Sequence, residues 1–306
     1  MNFYIKYTLL LYFVVGQVAT LFAVDRIKIL HQENIDFTTP IREILRNNRQ
    51  GNIILEFEKG VYHFYPETAE GLYICVSNND NGYKRVAFNL SGMENVRVEG
   101  IDTEFLFHGS MVPFYINEAR DISISGINMD YDYSFILEGE VVANDLEKKT
   151  FDIRVSNDIQ YKIKNDRLYL GGYDWELPTG ENIVFNPMTA APYYLTYTYH
   201  HDYRRSDLLA ESVGDSLIRL QGNMEEVPPV GSIYTDKGPH GRNRIFPGII
   251  LHSSSDISIA KTNIYMAGAM ALIAENTENV ILREFNVRSR PGSTRIISAS
   301  ADATHL

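Results

Sequence analysis

The hexapeptide Asn95-Val96-Arg97-Val98-Glu99-Gly100 alternates apolar and polar side chains behind an Asn. Asp121-Ile122-Ser123-Ile124-Ser125-Gly126 repeats the pattern 26 residues later. A second pair follows, Asp256-Ile257-Ser258-Ile259-Ala260-Lys261 and Asn279-Val280-Ile281-Leu282-Arg283-Glu284, offset by 23 residues. Alternation of this kind puts every second side chain on one face of a strand. A unit this short cannot bury that face alone, so it must stack on its neighbour about 4.8 Å away. The Asn or Asp before each run suits a tight turn between units. Further apolar runs, Phe114-Tyr115-Ile116 and Ala271-Leu272-Ile273, follow a few residues after the first and third repeats. The pattern predicts an all-β chain, a right-handed parallel β-helix. An ordinary β-sandwich is the competing fold, but sandwiches seldom reuse one hexapeptide pattern.

Two departures from the repeat set the domain layout. Near the start, Thr39-Pro40 precedes Ile41-Arg42-Glu43-Ile44-Leu45-Arg46. This predicts a short helix capped by Thr, with Pro in first position, ending near Asn47 or Asn48 and stopped by Gly51. Strand-like runs Ile53–Phe57 and Val61–Tyr65 follow it. Between about Tyr133 and Phe246 the period disappears. Runs such as Glu140-Val141-Val142, Thr150–Val155, Arg167–Leu170, Ile183-Val184-Phe185 and Leu217–Leu220 stand there at hairpin spacing, with turn signals at Gly171-Gly172 and Pro178-Thr179-Gly180. The expected layout is a cap and first coils over 25–133, an inserted antiparallel β-barrel-like module over 134–245, and further coils over 246–306.

Residues 1–24 change the compartment. Lys6 is the only charge before Asp25, an apolar stretch includes Leu9, Leu10, Leu11, Phe13, Val14 and Val15, and Ala19 and Ala23 offer small residues for cleavage. This predicts a signal peptide and an exported protein, periplasmic, surface-bound or secreted. A membrane anchor is the alternative, weakened by Gln17 and Thr20. The balance of 28 Lys+Arg against 39 Asp+Glu, a net charge of −11 in 306 residues, argues against a nucleic-acid partner. One cysteine, Cys75, excludes an intrachain disulfide framework and any multi-thiolate zinc site.

Acidic residues carry the candidate chemistry, because paired carboxylates on a stacked-strand groove suit sugar hydrolysis. Met129-Asp130-Tyr131-Asp132-Tyr133 places Asp130 and Asp132 on one strand face; a solvated edge is the competing reading. In Ser298-Ala299-Ser300-Ala301-Asp302-Ala303-Thr304-His305 a single Asp stands among small residues that leave it accessible; an exposed turn residue is the alternative. Arg244, in the Arg242-Asn243-Arg244 loop, could hydrogen-bond sugar hydroxyls or a carboxylate, or belong to a solvated loop. Tyr193–Tyr199 alternates aromatics as a strand would, for sugar stacking or for packing. His200-His201-Asp202 suggests metal, but adjacent residues on a strand point to opposite faces. Phosphate-loop, nucleophile-elbow and zinc motifs are not found in the sequence.

The segment Lys59-Gly60-Val61-Tyr62-His63-Phe64-Tyr65-Pro66-Glu67, the Asp130-Tyr131-Asp132 motif, Gly248-Ile249-Ile250-Leu251 and the Ser300–His305 motif resemble glycoside hydrolase family 110. The resemblance covers nearly all the chain after residue 24, and the Ser300–His305 motif is its most specific part. It implies a β-helix with an inserted β-barrel-like module. The activity it implies is exo-acting, inverting hydrolysis of terminal α-1,3-linked galactose, as in blood-group B structures, without a dissociable cofactor or metal. The implied partner is an α-galactosyl-terminated glycan. Asp302 takes a place in the catalytic cluster, with Asp130, Asp132, Arg244 and His305 expected at the substrate. The family's chains run to about twice this length and continue into a coil with paired aspartates. The expectation is therefore an amino-terminal half lacking part of the catalytic site, with sugar binding without turnover as the alternative.

Overall fold

The computed structural model describes residues 24–156, 159–201 and 207–306. The predicted signal peptide, apart from Val24, and Asp202 lie outside these residues. The repeats form one parallel sheet, built in order from Asp25–Ile29, Ile53–Phe57, Glu94–Phe107, Arg120–Tyr131, Ser255–Ile264 and Glu278–Val287. Val96 lies opposite Ile122, and Ile257 opposite Val280, in the register that the two offsets predict. Ile122 also lies opposite Ile257, so the long intervening segment does not interrupt the sheet. The polar residue that opens each repeat has a left-handed backbone: Asn52, Asn95, Asp121, Asp256 and Asn279 all have φ between 52 and 58°. Asn and Asp tolerate that conformation better than other non-glycine residues. The side chains also bond from strand to strand. The Asn95 amide donates to Asn52 Oδ1 at 3.0 Å and that of Asn279 to Asp256 Oδ1 at 2.9 Å. Behind them Ile53, Val96, Ile122 and Ile257 are fully buried in one column, each worth about 1.5–3 kcal/mol of apolar burial.

A second sheet faces the first. Gly82–Asn89, Met111–Asn117, Ile249–His252, Leu272–Glu275 and Thr304–His305 run parallel, with Glu70–Ile74 antiparallel at the edge. Both apolar runs expected beside the repeats lie here, either side of Ile249–His252. Phe88 stacks on Phe114, with ring centroids 4.5 Å apart, and on Phe105 of the first sheet at 5.3 Å, joining the sheets through one core. The helix Thr38–Asn47 presses Ile41 and Leu45 into that core. Its start corrects the expected cap. Phe37 is the capping residue and makes no side-chain cap bond, while the Asp36 carboxylate accepts the Thr38 N–H at 2.8 Å. Thr38, not Thr39, is the engaged hydroxyl, accepting the Tyr65 N–H at 2.7 Å. Gly51, with φ 80°, turns the chain towards the first repeat.

Between the two groups of repeats the strands are antiparallel. Seven form one sheet, ordered Ala191–Pro192, Asn182–Asn186, Ile233–Asp236, Leu137–Asp145, Thr150–Val155, Leu217–Gln221 and Leu209–Gly214. A three-stranded sheet, Tyr161–Lys164, Arg167–Gly171 and Glu176–Pro178, accompanies it. Phe151, Ile153, Leu220 and Tyr234 belong to a core of its own. The only tryptophan, Trp175, packs against both cores and stacks on Phe135 at 4.9 Å, so its ring joins the module's core to that of the parallel sheets. Tyr193–Tyr199 is not the expected strand: Leu195 has φ 57°, and Thr196–Tyr199 is a turn of 3-10 helix. Left-handed backbone at Leu195 breaks the alternation, leaving Tyr194 and Tyr197 exposed and Tyr199 buried. Among the described residues no helix is long and apolar enough to cross a membrane.

Candidate active site

The small residues before Asp302 let its segment lie against the preceding turn. Ala267 donates its N–H to the Ser298 carbonyl at 2.8 Å, and the Ser300 N–H returns to the Ala267 carbonyl at 3.2 Å. Ala271 and Leu272 then donate to the carbonyls of Asp302 and Ala303 at 3.2 and 3.1 Å, leading into the pairing of Leu272 with Thr304. Larger side chains at Ser298 and Ser300, both buried, would force the segment off Ala267–Ala271. Asp302 itself is exposed. Its Oδ2 lies 3.1 Å from His305 Nδ1, and the Asn78 amide meets His305 Nε2 at 3.0 Å. With Asn78 donating to Nε2, the Nδ1–H is the donor to Asp302, so a neutral imidazole satisfies both contacts and orients the carboxylate.

Asp302 and Arg244 line one cavity of about 660 Å³ between the antiparallel module and the parallel sheets. Glu181, Thr235 and Lys237 line the module side; Arg288 and the segment Ile296–Ala303 line the other. Glu181 is engaged on both oxygens, by His240 at Oε1 and by Asn243 at Oε2, 2.8 Å away, with Lys237 Nζ 3.1 Å from Oε2. Burial raises its carboxyl, but the hydrogen bonds from Asn243 and His240 and the Lys237 charge outweigh burial and hold it down at about 2. Among the described residues Asp302 and Glu181 are the carboxylates of this cavity; Glu181 is paired with Lys237, whereas Asp302 is exposed and meets the His305 ring.

The other residues expected at the substrate are placed differently. His305 stands behind Asp302 as its orienting partner. Asp130 is buried and does not line the cavity: Oδ1 accepts the Tyr131 N–H, and Oδ2 lies 2.8 Å from both Arg290 and Arg295. Alternation does put Asp130 on the face opposite Met129 and Tyr131, but the segment carrying the two arginines folds over that face. In this structure Asp130 is thus held between the two arginines and away from the cavity. Asp132 also lies outside the cavity; its Oδ2 is 2.9 Å from His108 Nδ1, and His108 Nε2 is 2.9 Å from His63 Nδ1. Tyr65 stacks on His108 with centroids 4.1 Å apart. His201 is buried beside Asp236 and Asp207, 3.5 Å from each. Among the described residues no group of three or more His, Cys, Asp or Glu side chains is arranged to hold a metal ion.

Two site residues escape sequence reading. Glu138, on the first strand of the module, accepts the N–H groups of Ile296 at 2.8 Å and Ile297 at 3.0 Å. It clamps the segment that leads to Asp302. Asp236, fully buried, accepts the N–H groups of Gly180 and Gly238 at 2.8 Å and fixes the loops carrying Glu181 and Lys237. In both cases main-chain N–H groups distant in sequence are among the partners, Ile296 and Ile297 for Glu138 and Gly180 for Asp236, which no side-chain motif announces.

The antiparallel strands coincide with a match to a known family model, GLAA-B beta-barrel domain I, over residues 137–234. Across a larger part of the chain the similar proteins bear one name. Alpha-1,3-galactosidase B of Akkermansia muciniphila is 30% identical over 272 residues, covering 84% of this chain and 32% of that protein. Alpha-1,3-galactosidase A of Shewanella woodyi is 28% identical over 253 residues, 82% and 41% respectively. Alpha-1,3-galactosidase B of Parabacteroides distasonis is 27% identical over 272 residues, 87% and 42%. The resemblance read from the sequence is borne out. The chain spans about a third to two fifths of the length of these curated relatives.

Proposed function

We propose that the chain carries an exo-acting α-galactosidase site that takes terminal α-1,3-linked galactose, with Asp302 as a catalytic carboxylate. The observation that carries this reading is the open Asp302 carboxylate, oriented by His305, in the cavity between module and sheets, in a chain whose relatives are named α-1,3-galactosidases. The two parallel sheets, linked turn by turn in register, support reading them as coils of a right-handed β-helix, with the GLAA-B-like module inserted between early and later coils. Export follows from residues 1–24 as a further part of the proposal. The reaction is direct displacement by water with inversion, which requires an acid at the leaving oxygen and a base at the water, roughly 6.5–9.5 Å apart. Asp302 supplies one of these. Glu181, held ionised, is unsuited to the acid role and serves as part of the cavity wall.

The commitment of Glu181 to three partners also favours a second reading, sugar binding without turnover. Galactose release from α-1,3-, α-1,4- and α-1,6-linked digalactosides, followed with the wild type and Asp302→Asn, separates the two. Release confined to the α-1,3 linkage and abolished by the substitution supports the hydrolase. Saturable binding of the α-1,3 disaccharide with no release supports the binding protein, and absence of both binding and release removes both.

A further inference from the structure

The cavity holds more positive charge than the rest of the molecule leads one to expect. The chain has a net charge of −11, yet the ionisable groups lining the cavity are Glu181 and Asp302 against Lys237, Arg244 and Arg288. Lys237 is neutralised by Glu181, 3.1 Å away. Arg244, half-buried, and Arg288, exposed at the end of the strand Glu278–Val287, have no hydrogen-bond or ion-pair partner for their guanidinium groups among the described residues. Nearby arginines behave otherwise. Arg290, two residues beyond Arg288, is bonded to Glu104 and Asp130, and Arg295 is bonded to Asp130. The segment thus consumes its structural carboxylates on Arg290 and Arg295 and leaves Arg288 facing the cavity, with Arg244 lining the same space from the loop after the module.

A guanidinium presents a planar set of donors that matches the paired oxygens of a carboxylate or sulfate, and such charge-assisted bonds are about twice as strong as neutral ones. A neutral sugar can accept these bonds through its hydroxyls but leaves the charge uncompensated. We infer that the site takes an anionic galactoside, one whose sugar carries a sulfate ester or carboxylate that meets Arg244 and Arg288 while the reacting end meets Asp302. This rests on the galactoside reading above and narrows its substrate class.

The test is isothermal titration of the full chain with methyl α-galactoside, its 6-sulfate and methyl α-galacturonoside, at low and high sodium chloride. At least one charged sugar is expected to bind about tenfold tighter than the neutral one at low salt, an advantage that shrinks as salt screens it. Arg244→Met and Arg288→Met should each bring the charged-to-neutral ratio towards one, with circular dichroism confirming the fold. Preference for the sulfate alone or the carboxylate alone identifies which group the site accepts. Neutral sugar binding as tightly as both charged forms, or a ratio that survives both substitutions, overturns the inference. So does failure of both charged sugars to bind. A chain that binds a charged sugar with the expected ratio but releases no galactose retains this inference and loses the hydrolytic reading.

Discussion

Asp130 immediately precedes the core residue Tyr131, and its carboxylate is an acceptor that Arg290 and Arg295 share. Arg295 is buried, and its Nε–H has no acceptor among the described residues. Arg290 is relieved by Glu104, whose hydrogen bonds are the largest cause raising its guanidinium above the usual value. Among the described residues Arg295 has no such second carboxylate. Removing one partner of a buried pair leaves the other charge uncompensated, at a cost of about 3–5 kcal/mol, more than the pair itself contributes. Asp130→Ala should therefore lower stability by roughly that amount in urea unfolding, and Glu104→Ala by distinctly less, because Arg290 keeps Asp130. Equal losses would contradict the asymmetry. A sugar-binding role for Asp130 predicts the opposite result, weakened binding with stability unchanged.

Among elements, the repeats were legible because everything that defines them is local. Asn95 and Asp121 announce the left-handed corner, and the following alternation sets which face is buried, before any partner is known. The same locality misleads at Tyr193–Tyr199, where alternation is present but the backbone turns at Leu195. The candidate site was legible in part for the same reason. Asp302 stands out against small residues, whereas Glu138 meets Ile296 and Ile297 from 158 and 159 positions away. Arg290 and Arg295 reach Asp130 across 160 and 165 positions. Such partners depend on how the inserted module and the later strands return to one place, which periodicity does not encode. The corner residues give the element-scale prediction. Asn95→Val puts a β-branched side chain at φ 52° and removes the bond to Asn52, so it should cost about 1–3 kcal/mol, whereas Asn95→Gly should cost less. Reversed order in thermal or urea midpoints would show that the side-chain ladder, not the backbone, dominates these corners.

For the molecule as a whole, Glu181 is where module, loop and parallel sheets meet. Its partners Lys237, His240 and Asn243 lie on the chain that returns from the module, and the Asn243 carbonyl accepts the Ser300 hydroxyl at 2.8 Å, two residues before Asp302. Holding Glu181 ionised thus holds the cavity walls together. Its carboxyl falls from an ordinary 4.5 to about 2 on folding. A group depressed in the folded state stabilises the protein fully above its unfolded value, and that stabilisation is lost as pH falls through the window between the two. Urea unfolding of the wild type should therefore show stability falling from pH about 5 towards about 2, because in that window the unfolded chain binds a proton at Glu181 that the native carboxylate does not. Glu181→Gln removes that titration: the variant should be weaker near neutral pH, where the ion pair with Lys237 is lost, and its stability should fall less over the acid window. Parallel curves for the two proteins would assign the acid sensitivity to other carboxylates. If the curves converge as predicted, galactoside affinity should follow the same window, because the loop that Glu181 retains carries Arg244 and contacts the segment of Asp302.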